Sequence, residues 1–492
     1  MTDAQFLAWL QSSAAYRCVL IEAAARVDGV ETMIYMATRS YTTSPADSPA
    51  NTQYLPIATV GTLFTERLSL DGDGALSTGD LEIDNTAGVR DAWAGVGYVW
   101  KNREIRAYIG DIRWPRADFR MIFNGIVADI APSGRSRLLL KLRDKLQRLN
   151  TAITEVKLGG ESEQRDALLP VLFGQAFNVT PLLVEPNILK YQVHSGPIEQ
   201  IIEVRDNGAP VGFTADLATG TFILDIAPVG VVTASVMGDK AGVYRETAAQ
   251  LVRRLVTGYG KASDRFTDED IDLANFSAFD AAHPQPMGLY STERMNVLTA
   301  CQMLLGSIDA QLVMSRLGKL RLIQVGLPGT GTPFVIRPEH MIEDTLQPTG
   351  RTDPVGAVKL GFAKNWTAQD AGTLANLPES HKALFTEEWL PAVYQDQPTL
   401  DINRLSAESI LVETMLLNRA DAEVEAKRRV DLRKVPRVPY EFDGIPELQM
   451  LELGQANNVY GPRFGMAAGV SGIVISLAPD WNTGRVKVGF LV

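Results

Sequence analysis

The sequence predicts a β-rich, multidomain α+β chain: two barrel-like antiparallel β domains, one at each end, with a small β domain and a helix-plus-hairpin domain between them. Three observations predict it. A chain of 492 residues exceeds what one hydrophobic core serves and divides naturally into three or four domains. Short runs of alternating apolar and polar residues, bounded by Gly, Pro, Asn and Asp, recur through residues 1–150 and 331–492, the texture of antiparallel sheets. Between them, apolar residues at i, i+3, i+4 and i+7 mark helices. The expected domains are 1–150, 151–243, 244–330 and 331–492.

Residues 3–11 read as a short helix with Phe6, Leu7 and Leu10 on one side. Residues 17–26 and 32–37 read as strands joined at Asp28-Gly29, and 38–53, rich in Ser, Thr, Pro and Asp, as a projecting loop. Strands follow at 61–70, 79–85, 104–110 and 119–123. Asn124-Gly125 reads as a two-residue turn before 126–130, and Pro132-Ser133-Gly134 as a turn into 137–142, with a short helix at 143–149. The stretch 151–239 shortens into Gly- and Pro-punctuated strands at 201–205, 220–225 and 231–237. Ala248, Leu251, Val252 and Leu255 then share one helix face, with Gly258 placed to cap it. A second helix is expected to start at Ser291 or Thr292 and to bury Val297, Leu298, Cys301, Leu304, Leu305 and Ile308; a hairpin of 311–315 with 320–324 follows. Past a Gly/Pro/Thr linker at 326–333 come a strand at 355–362 and a polar excursion at 367–388.

The closing stretch is a charged helix at 418–433, a strand at 436–442 and a terminal hairpin. Asn418 is placed to cap the helix, and Glu423–Lys427 and Glu425–Arg429 are spaced as i,i+4 pairs. Val486, Val488, Phe490 and Val492 alternate with Arg485, Lys487 and Gly489, so one strand face is dry and the other wet.

Two groups of residues carry a resemblance. One is Ala420-Asp421-Ala422-Glu423 with Arg428-Arg429, followed by Leu451-Glu452-Leu453-Gly454, Arg463-Phe464-Gly465 and the hairpin ending at Val492. The other runs from Leu304-Leu305 through Ser307 and Ala310 to Arg316, Gly318 and Leu320-Arg321-Leu322, with Asp309 where the pattern favours Gly. In this order they resemble the hub proteins at the tail tip or baseplate of long-tailed bacteriophages and related tail-like particles. The resemblance implies two tube-like barrel domains, so that a homotrimer imitates a six-fold tail tube with a lumen for genome passage and ejection. It also implies partners: tail-tube or distal tail proteins above, and a central spike or tail fibres below. Residues 38–53 and 367–388 are then candidate subunit or partner contacts.

Composition narrows the function classes. Hydrophobic residues at 46% and charged residues at 21% leave no long disordered tract. A net charge of −11 argues against a protein that grips nucleic acid by its phosphates; with the resemblance, it implies a conduit that does not hold DNA. The start Met1-Thr2-Asp3-Ala4-Gln5 lacks a basic, then apolar, leader, and no run approaches the roughly 18 apolar residues of a spanning helix. The expected location is the host cytoplasm during assembly and the virion tail tip afterwards, with no membrane segment.

Chemistry is sparse. The two cysteines, Cys18 and Cys301, form no metal or redox spacing, and Cys301 reads as core. The four histidines, His194, His283, His340 and His381, have no partner at i+3 or i+4. Asp71-Gly72-Asp73-Gly74 with Glu82 has a calcium-loop flavour, but Ala75 and Leu76 occupy positions that need a ligand and a glycine, so a Gly-rich turn is the plainer reading. Asp268, Glu269, Asp270 and Asp272 offer paired acids for a cell-wall hydrolase, or simply a solvated loop. The basic runs 135–148 and 427–437 lack interleaved aromatics and read as helix face or subunit contact. The seven tryptophans read as separate packing residues. No catalytic, metal or cofactor residue is assigned. A structural hub is the leading reading, with a tail-associated hydrolase and a carbohydrate-binding adhesin as alternatives.

Overall fold

The computed structural model describes the chain except for residues 70–74, 162–163, 373, 375–377 and 482. It is β-rich, with helices interspersed among several sheets. Two compact units emerge: Met1–Gln147, Val313–Thr352 and Arg437–Val492 make the first, and Arg148–Leu312 with Asp353–Pro436 make the second. Both are discontinuous in the chain, so they cut across the four consecutive segments expected from the sequence. No helix among the described residues is long and apolar enough to cross a membrane.

The first unit holds two eight-stranded sheets. One runs in the order Val30–Ala37, Arg17–Val27, Glu104–Asp111, Arg120–Pro132, Arg137–Arg143, Asp80–Asp84 and Ala58–Thr59, with Tyr98–Val99 beside Arg17–Val27. All its ladders are antiparallel. The Asp28-Gly29 turn is present, with φ of 48° and 91° and Val27 opposite Val30. Along Arg137–Arg143, Leu138, Leu140 and Leu142 are buried while Arg137, Lys141 and Arg143 face solvent, which fixes the register. The sheet curls toward closure: Ala37 N–H donates to Leu55 O at 2.7 Å and Leu55 N–H to Tyr35 O at 3.2 Å, so the first edge meets the approach to the last strand.

Asn124-Gly125 is not a turn. It lies inside Arg120–Pro132, opposite Arg106 and Ile105. A side chain at Gly125 would sit 2.8 Å from the Arg143 carbonyl, so glycine serves a close approach here.

The other sheet runs Phe334–Ile336, Ala456–Val459, Val470–Pro479, Val486–Leu491, Pro439–Gly444 and Gln347–Pro348. Its pairing of Phe334–Ile336 with Ala456–Val459 is parallel, a departure from the all-antiparallel expectation. Val486 and Val488 are buried and Arg485 and Lys487 exposed, as the alternation predicts, but Gly489 to Leu491 are all buried, so both faces of the strand are covered at its end. Phe64–Arg67, early in the chain, pairs with Val470–Pro479 in this sheet, so an N-terminal strand completes a C-terminal sheet.

The loop 38–53 folds back instead of projecting freely. Tyr41–Thr42 pairs with Gln53–Tyr54, and Tyr41, Thr43 and Tyr54 are buried.

The second unit contains a five-stranded sheet, Ala209–Pro210, Ile198–Asp206, Val232–Asp239, Val171–Val179 and Gly288–Ser291, and a four-stranded one, Leu182–Glu185, Lys190–Gln192, Thr221–Leu224 and Phe213–Asp216. Leu172, Val193, Val204, Phe222, Ala234 and Val236 are among their shared core. Helix Ala248–Gly258 buries Leu251, Val252 and Leu255 as expected, but the left-handed residue beyond it is Gly260 (φ 75°), not Gly258. The next expected helix starts later, at Val297 after Asn296, because Gly288–Ser291 is drawn into the sheet beside Val171–Val179. Residues 367–388 include the helix Glu379–Thr386.

A three-stranded sheet of Leu390–Gln395, Ala357–Phe362 and Leu411–Glu413 completes this unit. Helix Arg419–Arg433 covers one face, packing Ala426 and Val430 on Val358 and Leu360. This helix therefore belongs to the second unit, not to the closing barrel. Asn418 does not cap it through a backbone bond; its amide donates to the Asp421 carboxylate at 3.0 Å. Glu425–Arg429 forms, at 2.7 Å, whereas Glu423 takes Arg419 and Lys427 takes Asp431.

Candidate functional site

Some of the residues that carry the resemblance meet at two arginine junctions, one in each unit, while Arg463-Phe464-Gly465 is exposed. In the second unit, helix Val297–Gly306 ends on Ser307, whose backbone carbonyl and those of Gly306 and Ile308 point out of the last turn. Arg429 donates to Gly306 O at 2.7 Å and Ser307 O at 3.1 Å, and Arg428 to Ile308 O at 3.5 Å. Cations at a helix C-terminus meet both the unpaired carbonyls and the negative end of the dipole. Glu425, buried, holds the two arginines together, bonding Arg428 at 2.8 Å and Arg429 at 2.7 Å. Arg428 and Arg433 also reach Asp309, at 3.1 and 3.6 Å. Asp309 sits at φ 53°, in the left-handed region, which explains why glycine suits that position. Aspartate tolerates this backbone better than most residues and here gains an ion pair. The helix end and the arginine pair, more than a hundred residues apart, form one structure.

In the first unit, the loop between Ala310–Met314 and Leu320–Gln324 supplies the other junction. Arg316 donates to the carbonyls of Gln449 and Leu451 at 2.9 and 2.8 Å, and Arg321 pairs with Glu452 at 2.9 Å. The backbone N–H of Arg316 donates to the buried Glu66 carboxylate at 2.9 Å. Burial pushes the Glu66 carboxyl up, against the pull of Arg316. Gly318 has φ 71°, and a side chain there would stand 2.8 Å from Asn124 O. One loop thus ties strand Phe64–Arg67, strand Arg120–Pro132 and the Leu451–Gly454 segment into one body.

Sequence reasoning missed a third network. Glu22 accepts from Arg116 at 2.7 Å and from the Tyr54 hydroxyl at 2.6 Å, all three buried. Arg116 also lies 3.7 Å over the Tyr108 ring, and its backbone N–H donates to Asp47 at 3.1 Å. This pins the 38–53 segment to the sheet. Its members share no spacing, so only pairing across the sheet reveals it.

The residues singled out for chemistry have structural partners. Asp268 pairs with Arg253 at 2.8 Å. Asp270 accepts from Thr267 N–H at 3.1 Å, and Asp272 caps helix Leu273–Ala282 by accepting from Asn275 N–H at 3.1 Å. His194 is buried; its Nδ1 accepts from Leu172 N–H at 3.0 Å and its Nε2 lies 3.9 Å from Asp239. Burial holds it neutral, pushing its pKa down. His283 stacks on Phe279 at 4.3 Å, His340 bonds Arg337 N–H and Glu447, and His381 is exposed on a helix. Cys18 and Cys301 are buried, and burial pushes both thiols up. Asp71-Gly72-Asp73-Gly74 lies outside the described residues. Among the described residues, no group of three His, Cys, Asp or Glu side chains could hold a metal ion.

The tryptophans are less scattered than expected. Trp9 packs on Trp114 at 4.8 Å, Trp93 on Trp100 at 5.7 Å, and Lys364 sits 4.3 Å from the rings of both Trp366 and Trp389. The basic runs are largely neutralised within the chain, as in Arg137–Glu82 and Lys434–Asp431, both at 2.8 Å.

No protein-family model matches this chain. No curated protein matches it. Among solved structures it is similar to the tail protein from Neisseria meningitidis MC58, at 11% identity over 96% of each chain with a TM-score of 0.36. It is similar to the 43 kDa tail protein of prophage MuSo2 from Shewanella oneidensis, at 12% identity over 97% of this chain and 98% of that one, TM-score 0.38. A chain of the virion of a native gene transfer agent particle aligns at 13% identity over 70% of this chain and 91% of its own, TM-score 0.44.

Proposed function

We propose that this chain is a structural hub of the tail tip or baseplate of a long-tailed phage, a prophage or a related particle. Three copies would form a ring that continues the tail tube, with a lumen through which the genome passes. The observation that carries this reading is the first unit: two eight-stranded sheets, one from each end of the chain, joined through Phe64–Arg67. Two tube-like sheets per chain let a trimer present six. The first-unit junction supports it, since Arg316, one of the residues behind the resemblance, bonds Glu66 in Phe64–Arg67 and accepts from Asn124 N–H in Arg120–Pro132. A net charge of −11 suits a channel that must release DNA.

In this reading the partners are a tail-tube or distal tail protein on one side and a spike or fibre on the other. The chain acts as part of the virion after assembly in the host cytoplasm, and it carries no reaction and no cofactor. The acids of the hydrolase alternative are engaged in a surface ion pair and two turn or helix caps, which does not favour that alternative.

Class averaging of purified tail particles by electron microscopy tests the proposal. A three-fold ring with an open pore at the tip, labelled by antibody to this chain, supports it. A single copy off the tail axis, or absence from tails, refutes it.

A further inference from the structure

Three arginines of this acidic chain line one open pocket in the second unit. The pocket, about 410 Å³, is lined by Arg245, Arg253 and Arg254, by Thr257 and Thr267, and by Asp268. Arg253 and Arg254 are consecutive on helix Ala248–Gly258, and Arg245 lies just ahead of it.

Their commitments differ. Arg254 gives Nε to the Asp239 carboxylate at 2.5 Å and Nη2 at 3.4 Å, and its guanidinium lies 4.8 Å over the Tyr259 ring. Arg245 gives Nη1 to the carbonyls of Ala241 and Val243, at 3.1 and 2.7 Å, and among the described residues meets no carboxylate in ion-pair range. Arg253 faces both oxygens of Asp268, at 2.8 and 3.0 Å. Three cations therefore stand against Asp239 and Asp268. Burial, and next the Arg254 guanidinium, pull Arg245 below its ordinary pKa. The Arg253–Asp268 pair is open to water, its side chains 47% and 57% exposed, and such pairs are weak.

A planar carboxylate is met by one guanidinium, as Asp268 is here by Nη2 of Arg253 alone. A tetrahedral dianion presents more acceptor oxygens and takes forks from several arginines at once. From this geometry we infer that the pocket is an oxyanion site for a phosphate group, free or esterified, which displaces Asp268 from Arg253 and bridges it to Arg245.

Isothermal titration of the full chain with inorganic phosphate and with glycerol phosphate, at constant ionic strength, tests the inference. One site is expected. Arg245→Gln weakens it about tenfold or more, the loss of one charge-assisted bond. Asp268→Asn tightens it severalfold by removing the competing carboxylate. Arg419→Gln, on an exposed helix face and paired with Glu423, leaves it unchanged. Circular dichroism confirms that each variant is folded. Equal binding of the ester and the free ion assigns the site to phosphate esters, and preference for the free ion assigns it to inorganic phosphate. No binding, an affinity indifferent to Arg245→Gln, or weaker binding in Asp268→Asn overturns the inference.

Discussion

Arg429→Met isolates the worth of the junction in the second unit. Methionine keeps most of the apolar stem and removes three bonds: to Glu425 at 2.7 Å, Gly306 O at 2.7 Å and Ser307 O at 3.1 Å. A net hydrogen bond to a charged group contributes about 1.5–3 kcal/mol, and stripping one partner from a buried ion pair costs about 3–5 kcal/mol. Glu425 retains Arg428 at 2.8 and 2.9 Å, so its carboxylate is not left unpaired and the cost falls at the low end, about 3 kcal/mol. At about 2–4 °C per kcal/mol for a large domain, the transition of the second unit should drop by about 6–12 °C in scanning calorimetry. Amides of Val297–Gly306 should exchange faster, since their helix end loses its acceptors' partners. Arg429→Lys should recover little, because one ammonium cannot serve Glu425 and two carbonyls together. A shift below about 2 °C, or full rescue by lysine, would refute the account of the arginine as a helix-end clamp.

Three further outcomes are expected. Asp309→Gly should be more stable than Asp309→Ala by about 1 kcal/mol in chemical denaturation, because both lose the Arg428 and Arg433 contacts but only alanine keeps the strain of φ 53°. Gly318→Ala should destabilise the first unit by about 2 kcal/mol or more, through its φ of 71° and the 2.8 Å approach to Asn124 O; a neutral result by thermal melting would contradict the packing. Burial pushes the Asp144 carboxyl from 3.8 to about 6, partly opposed by the Leu146 amide. Because its folded pKa lies above its unfolded one, stability should fall as pH rises from about 4 to about 6, and Asp144→Asn should stabilise by about 1–2 kcal/mol near pH 8 and not at all below pH 4. Equal effects at both pH values would count against that environment.

The sequence alone determined what depends on neighbours in the chain. Period-two alternation put Val486, Val488 and Phe490 inside and Lys487 outside, and helical spacing buried Leu251, Val252 and Leu255, because each pattern commits a side to water over a few residues. It marked the Asp28-Gly29 hairpin by the positive φ those residues accept. It misread Asn124-Gly125 by the same logic, because pairing with Arg106 and Ile105 and the Asn124 N–H bond to Arg316 O hold that dipeptide extended. It also missed that Phe64–Arg67 joins a sheet from the far end of the chain, and that helix Arg419–Arg433 packs in the second unit. The motif residues were legible as text. Their purpose was not: Arg428 and Arg429 make sense only beside the carbonyls of Gly306 and Ser307, and Arg316 only beside Glu66, Gln449 and Leu451. Those partners lie far away in the chain, and only the folded structure brings an unpaired carbonyl or a buried carboxylate within reach of the arginine that satisfies it.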